Sequence, residues 1–205
     1  MSRNPDPKHV KAPATWRIFC ALDIPDEVRQ RIREHVNWLI RTNPEVRASW
    51  TNLDNIHLTI KFLGDVAVAR VPTISEAAAA ATNQLRSFTL QISSCGVFPS
   101  PSHAKVLWIG VNDSSGMLSE LQQRLELECE KRGFPNEERV FKPHLTLARL
   151  RGGNNTRALV EAYLAADFPA QTVTVNELIV FRSELSSRGA KYTAISKHPI
   201  LLGVA

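Results

Sequence analysis

Apolar positions along the chain switch between two periods, and the switches mark out elements. Residues 17–23 alternate as a half-buried strand, and Pro25, Asp26 and Glu27 then open a helix whose apolar stripe is Val28, Ile32, Val36, Leu39 and Ile40. Residues 57–63 (HLTIKFL) read as a strand bounded by Gly64-Asp65, followed by an Ala-rich helix over 71–86 and a strand from Phe88 towards Val97. The first half is thus β-α-β-α-β.

The same order then returns. A strand over 105–111 leads into a helix after Ser114-Ser115 with Leu118, Leu121 and Leu125, closed by Gly133; a strand over 144–150, a helix over 156–166 and a strand over 172–182 follow. Matching starts are nearly evenly offset: 105 − 17 = 88 for the first strands and 144 − 57 = 87 for the second. Five elements in one order at nearly one spacing predict an internal duplication, with residues 190–197 as an added strand.

Composition narrows the class. At 205 residues and 43% hydrophobic the chain can bury a real core, and its longest apolar runs are far short of the roughly 20 residues of a membrane span. Residues 1–15, with Pro5, Pro7, Pro13, Arg3, Lys8 and Lys11, lack the apolar stretch of a secretory signal and read as a loose tail, so the chain is expected to be cytoplasmic. Cys20, Cys95 and Cys129 are odd in number, widely spaced and set among apolar neighbours, which predicts buried thiols and no zinc or redox motif. A net charge of +5 leans towards an anionic partner such as nucleic acid or a phosphate ester, although acids accompany the bases along residues 26–41 and 120–132.

The chemistry concentrates in one repeated tripeptide. His57-Leu58-Thr59 and His144-Leu145-Thr146 stand at the same place in the two halves. From the content of His, Leu and Thr, about 0.04 such triplets are expected by composition, so two are hard to assign to chance. In a strand, residues i and i+2 share a face, so each half offers one imidazole and one hydroxyl while Leu58, Ile60, Leu145 and Leu147 face the core. Two imidazoles facing each other across a cleft suit an in-line displacement at phosphorus, one as general base on the attacking oxygen and the other as general acid on the leaving oxygen. The threonine hydroxyls then donate to the nonbridging phosphoryl oxygens. Neither motif brings a third ligand of the kind catalytic zinc takes, so no metal and no cofactor is expected.

Residues 17–25 (RIFCALDIP), 55–64 (NIHLTIKFLG), 106–111 (VLWIGV), 141–149 (FKPHLTLAR), Phe181-Arg182-Ser183 and Tyr192 together resemble the LigT-like RNA 2′,3′-cyclic phosphodiesterases of the two-histidine (2H) phosphoesterase superfamily. The resemblance implies an α+β fold of two pseudo-symmetric lobes, with antiparallel-rich sheets lining a central cleft and helices outside. One bilobal domain over 16–205 follows the tail. It implies metal-independent hydrolysis of an RNA terminal 2′,3′-cyclic phosphate to a 2′-phosphomonoester. His57 matches the proton donor to the leaving O3′, His144 the proton acceptor from water, and Thr59 and Thr146 the phosphate donors. Arg149 matches a phosphate-binding arginine, yet strand alternation sets it opposite His144, so that role requires a bulge or strand end. At Ala104-Lys105 relatives more often carry Pro-Arg, which puts a lysine where an arginine contact with RNA is otherwise expected.

RNA 3′ ends or nucleotides bearing a 2′,3′-cyclic phosphate are the expected partners, with no membrane and a monomeric enzyme. Two other readings stay open: 2′-5′ RNA ligation by the reverse reaction, and a non-catalytic RNA- or nucleotide-binding module. Trp50, Trp108, Phe62 and Phe19 are candidates for base stacking, although most such aromatics are core. The segments Arg151 to Asn155 and Pro99 to His103 read as a turn and a solvated loop tip. From sequence neighbours, Asp54 and Asp65 are expected to favour protonation of His57, and Lys142 and Arg149 the neutral form of His144.

Overall fold

Val28, Ile32, Val36 and Leu39 recur at three- and four-residue intervals, and all four are buried along one side of α1 (Asp26–Thr42). Each contributes roughly 1.5–3 kcal/mol by leaving water. Ile40, expected on the same stripe, is 39% exposed, because the turn that buries Leu39 swings the next residue outward. The structure, a computed structural model, describes residues 14–152, 156–186 and 189–201.

The remaining elements are β1 (Thr15–Asp23), β2 (Ala48–Trp50), β3 (His57–Ala67), α2 (Val71–Thr82), β4 (Phe88–Phe98), β5 (Val106–Asn112) and α3 (Met117–Lys131), then β6 (His144–Leu150), α4 (Thr156–Ala165), β7 (Gln171–Val175), β8 (Glu177–Ser186) and β9 (Gly189–Pro199). They form an α+β fold of two antiparallel sheets, ordered β3-β1-β8-β9 and β2-β6-β5-β4-β7. Helices α2 and α3 pack together over the first sheet. Helices α1 and α4 cover the second, where His35 of α1 meets Tyr163 and Phe168 ring to ring and Cys95 of β4 at 3.8 Å.

The sheets do not follow the halves of the sequence. β4 leaves the first half to lie beside β5, and the expected strand over 172–182 is broken at Asn176 into β7 and β8, which join different sheets. The Asn176 carbonyl accepts from Ile200 N at 2.7 Å, which ties the corner to the chain after β9. The helix expected over 71–86 stops at Thr82, and Gln84, at φ 58°, turns the chain towards β4. Gly64 does not end its strand. At φ 70° it sits within β3, which runs on to Ala67. β2 has no counterpart in the hydrophobic pattern, since three residues give too little alternation to read.

Of the expected N-terminal tail, residues 1–13 lie outside the described residues and Thr15 already belongs to β1. Cys20 and Cys129 are buried thiols, while Cys95 is only half-buried because a register shift in β4 turns its side chain towards His35. Burial pushes the Cys129 thiol up to about 11 and Cys20 further still, which leaves both unreactive. Among the described residues no helix is long and apolar enough to cross a membrane.

Candidate active site

β3 and β6 lie in different sheets and touch where the sheets meet. Each begins with its histidine. A cavity of about 430 Å³ opens there, lined by His57, Thr59, His144, Thr146 and Arg149 together with Arg17, Phe19, Phe62 and Tyr192. All five residues singled out from the sequence are therefore brought to one space, from strands 87 residues apart (144 − 57).

Both imidazoles are held alike. His57 Nδ1 lies 2.8 Å from the carbonyl oxygen of Asn55, and His144 Nδ1 lies 2.6 Å from that of Lys142, in each case two residues before the ring. A carbonyl only accepts, so Nδ1 carries the hydrogen and Nε2 is left to exchange a proton with a ligand. The rings rest on aromatic supports. His57 stacks on Phe19 at 4.6 Å and meets the Tyr192 ring edge-on at 5.2 Å. His144 meets Phe98 edge-on at 5.0 Å, with Trp108 beyond at 6.2 Å. The Trp108 indole lies flat on Gly96, where any side chain would collide with the ring.

Arg149 reaches the cavity because β6 is not a regular strand. Val106 pairs with Arg149 and Leu107 with Ala148, but Trp108 pairs with Thr146, so Leu147 is an extra residue. Leu147 and Ala148 are consequently both buried, and Arg149 returns to the face of His144 and Thr146. The first motif does the same. Cys20 pairs with Lys61 and Ala21 with Thr59, Ile60 and Lys61 are both buried, and Phe62 returns to the cavity face. The buried Lys61 ammonium is held by Glu126 at 2.5 Å and by the carbonyl of Pro135 at 2.9 Å.

The aromatic candidates separate by these registers. Phe62 is 46% exposed in the cavity with the Arg17 guanidinium over its ring at 4.7 Å, whereas Phe19 is buried beneath His57. Trp108 and Trp50 are half-buried, Trp108 behind His144 and Trp50 against the core. Sequence alone assigns no role to Arg17 or Tyr192, although Arg17 shares the alternating face of Phe19. The backbone carbonyls that anchor the histidines carry no residue-type signal at all.

The shift of His57 runs opposite to the expectation, through burial and not through charge. Burial is the largest influence and lowers its pKa; the Asn55 carbonyl and the carboxylate of Asp23 act the other way, and Arg29 adds to the lowering. Asp54, expected to favour protonation, spends its charge on Arg33 at 2.9 Å. Asp65 lies at the far end of the strand and is not among the groups acting on His57. Arg29 itself is buried, with guanidinium bonds to the carbonyls of Leu53, Asp54 and Ile56 at 3.0, 3.1 and 3.3 Å, so it fixes the turn that presents the Asn55 carbonyl. Beside His144, Lys142 contributes its carbonyl, while its side chain is exposed. Burial raises the Tyr192 hydroxyl, opposed by Arg149 and Arg17. Among the described residues no three metal-ligating side chains cluster.

Comparison with known proteins gives this arrangement a lineage. A family model described as the 2′-5′ RNA ligase superfamily matches residues 24–186. The chain is 31% identical over 178 residues to an RNA 2′,3′-cyclic phosphodiesterase of Methanothermobacter thermautotrophicus, covering 86% of this chain and 95% of the relative. A Thermotoga maritima protein of the same name is 29% identical over 87% of this chain and 92% of its own. Among solved structures, Escherichia coli LigT complexed with 3′-AMP superposes with TM-score 0.70 at 25% identity, over 91% of this chain and 99% of that one. A Thermus thermophilus protein superposes with TM-score 0.73 at 24% identity, over 90% and 97%, and so shares the fold. Sequence, fold and the paired motifs thus agree that the chain belongs to the 2′-5′ RNA ligase superfamily, among its LigT-like two-histidine phosphoesterases.

Proposed function

We propose that the protein is an RNA 2′,3′-cyclic phosphodiesterase, an enzyme that hydrolyses a terminal 2′,3′-cyclic phosphate to a 2′-phosphomonoester without a metal ion. The observation that carries this reading is the pair of Nδ1-anchored imidazoles, from two sheets, sharing one cavity with two threonine hydroxyls and an arginine. A water oxygen attacks phosphorus and gives its proton to His144 Nε2. The P–O3′ bond breaks, and O3′ takes the proton from His57 Nε2. The product is a 2′-phosphate beside a free 3′-hydroxyl, and proton exchange with solvent resets both rings. Thr59, Thr146 and Arg149 hold the nonbridging oxygens as charge shifts among them. The lowered pKa of His57 leaves it short of a proton in the free enzyme, and the anionic phosphodiester, placed in a desolvated site, restores it.

One further reading rests on the same geometry. The matched carbonyl anchors, bulges and motif positions, with sheet orders β3-β1-β8-β9 against β6-β5-β4-β7, support two pseudo-symmetric lobes that have exchanged a strand, flanked by β2. In that correspondence β8 takes the place of β4, and their starts are 177 − 88 = 89 residues apart, close to the 144 − 57 = 87 that separates the starts of β3 and β6. We propose further that the lobes make one domain, from the start of β1 onward, which acts on RNA ends in the cytoplasm as a monomer.

The test is to incubate a short RNA ending in a 2′,3′-cyclic phosphate with the protein in excess chelator and to identify the new end. A 2′-phosphate is expected. A 3′-phosphate, activity that needs an added divalent ion, or joining to a 5′-hydroxyl RNA in place of hydrolysis would each overturn the reading.

A further inference from the structure

A second cavity of about 800 Å³ lies at the end of the five-stranded sheet, between the turn Pro101–His103, Lys105, Arg151 and helix α4. Its floor is apolar, formed by Leu150 and Val160, both buried, and by Leu164. Its rim is cationic. Glu161 is the one carboxylate among the described lining residues, and Arg157 holds it at 2.8 Å.

Three neighbouring strands end at this point, and each presents a cation. Arg149 N–H and C=O lie in register between Ser49 of β2 and Val106 of β5. One residue on, Leu150 N donates to the Lys105 carbonyl at 2.9 Å, and Arg151 N donates to the Arg47 carbonyl at 3.3 Å. Arg47, Lys105, Arg149 and Arg151 are all exposed, and none of their side chains has an ion-pair or hydrogen-bond partner among the described residues. Arg149 belongs to the catalytic cavity, whereas Leu150 and Arg151 line the second one. The track of free charge therefore begins at the reacting phosphate and turns over the end of β6. Its cations begin at Arg149, and from His144 to Arg151 the strand, with its one bulge, is seven residues long, at most roughly 23 Å.

We propose that this surface is a subsite for the RNA strand upstream of the reactive end, with Lys105 and Arg151 on its phosphates and the apolar floor against a ribose or base. The proposal rests on the cyclic phosphodiesterase reading and deepens it: the substrate is an oligonucleotide, held along several phosphates, and not only a cyclic mononucleotide. Phosphates are the occupant because the unpaired groups are all cations, and a single strand fits because a cavity with an apolar floor admits an unstacked nucleotide that a duplex does not supply.

The test compares wild type with the double variant Lys105→Gln/Arg151→Gln, whose positions are exposed and outside the catalytic cavity. Two substrates are used: a mononucleoside 2′,3′-cyclic phosphate and a six-nucleotide RNA ending in the same group. For the mononucleotide, kcat/KM is expected to stay unchanged. For the RNA it is expected to fall about two- to thirty-fold, the scale of two exposed ion pairs, and to depend less steeply on salt, the log–log slope falling by about 0.7 for each phosphate no longer neutralised. An unchanged kcat/KM for the RNA, or an equal fall for both substrates, overturns the subsite. Binding of the same RNA already carrying a 2′-phosphate reads the surface without turnover. Weaker binding by the double variant supports the subsite even if the wild type hydrolyses neither substrate, an outcome that counts against the cyclic phosphodiesterase reading alone; equal binding overturns it.

Discussion

Phe62 and Arg149 occupy the same place in their motifs, each five residues after its histidine and each returned to the cavity by a bulge that buries the two residues before it. One side of the cleft thus offers a ring where the other offers a charge. The division suits a nucleotide, which has a flat base at one end and an anion at the other. Replacing Arg149 by Ala should remove a charge-assisted contact worth roughly 1.5–3 kcal/mol, a loss of about 10–150-fold in kcat/KM on every cyclic phosphate. Replacing Phe62 by Ala should cost about 1–3 kcal/mol on nucleoside cyclic phosphates and nothing on ribose 2′,3′-cyclic phosphate, which has no base to stack. Equal losses for Phe62→Ala on both substrates would remove the stacking role.

The histidines should matter most. His57 is packed on Phe19, so truncation to Ala opens space in the core, and Gln is the cleaner replacement. His57→Gln and His144→Gln should each lose about 10²–10⁴ in rate with the fold retained by circular dichroism. Thr59→Ala and Thr146→Ala should lose less, about 10–150-fold, since each removes one hydroxyl bond to a charged oxygen. Threonine variants as damaged as the histidine variants would contradict this division of roles.

Much of this site is legible in the sequence because it depends on alternation and repetition. Two HxT tripeptides at one offset, with apolar partners facing inward, are enough to place His57, Thr59, His144 and Thr146 on strand faces. Arg149 is recognisable only through family resemblance, since alternation alone points it away; the extra residue opposite Trp108 is a tertiary feature with no local signature. The placing of β4 beside β5 and of β8 beside β1 is hidden for a related reason: strand order depends on long-range pairing that element order does not encode. The direction in which His57 is shifted is misread from sequence because burial, which neighbours along the chain do not reveal, outweighs the charges around the ring, and the carboxylate that does act on it is Asp23, since Asp54 is taken by Arg33.

Catalysis should trace a bell against pH. The base must be neutral and the acid protonated, and burial lowers the pKa of His57 in the free enzyme. Bound phosphate opposes that lowering. The descending limb of kcat is therefore expected at higher pH than the descending limb of kcat/KM. Superimposable limbs, or a rate rising monotonically from about pH 5 to 9 with folding constant, would show that substrate charge does not load the acid.

Stability should fall on mild acidification. His35, His57 and His198 are all lowered from their ordinary value of 6.5, chiefly by burial. Above 6.5 they are neutral in both states and the full stability is present; as pH falls through the lower folded values, the unfolded chain takes up protons first and is favoured. The melting temperature is expected to drop between about pH 7.5 and 5.5, less steeply in His57→Gln. A flat or rising profile over that window would contradict the assigned burial.

The split between the two imidazoles is open to a direct measurement: kcat/KM of His57→Gln and His144→Gln on a nucleoside 2′,3′-cyclic phosphate in which sulfur replaces the bridging 3′ oxygen. A thiolate leaves without a proton, as its low pKa allows, so general acid catalysis is no longer needed while activation of water still is. The His57 variant should recover most of the wild-type rate on this substrate and the His144 variant should not. Recovery of the His144 variant instead, or equal impairment of both, would contradict the assignment of His57 as proton donor and His144 as proton acceptor.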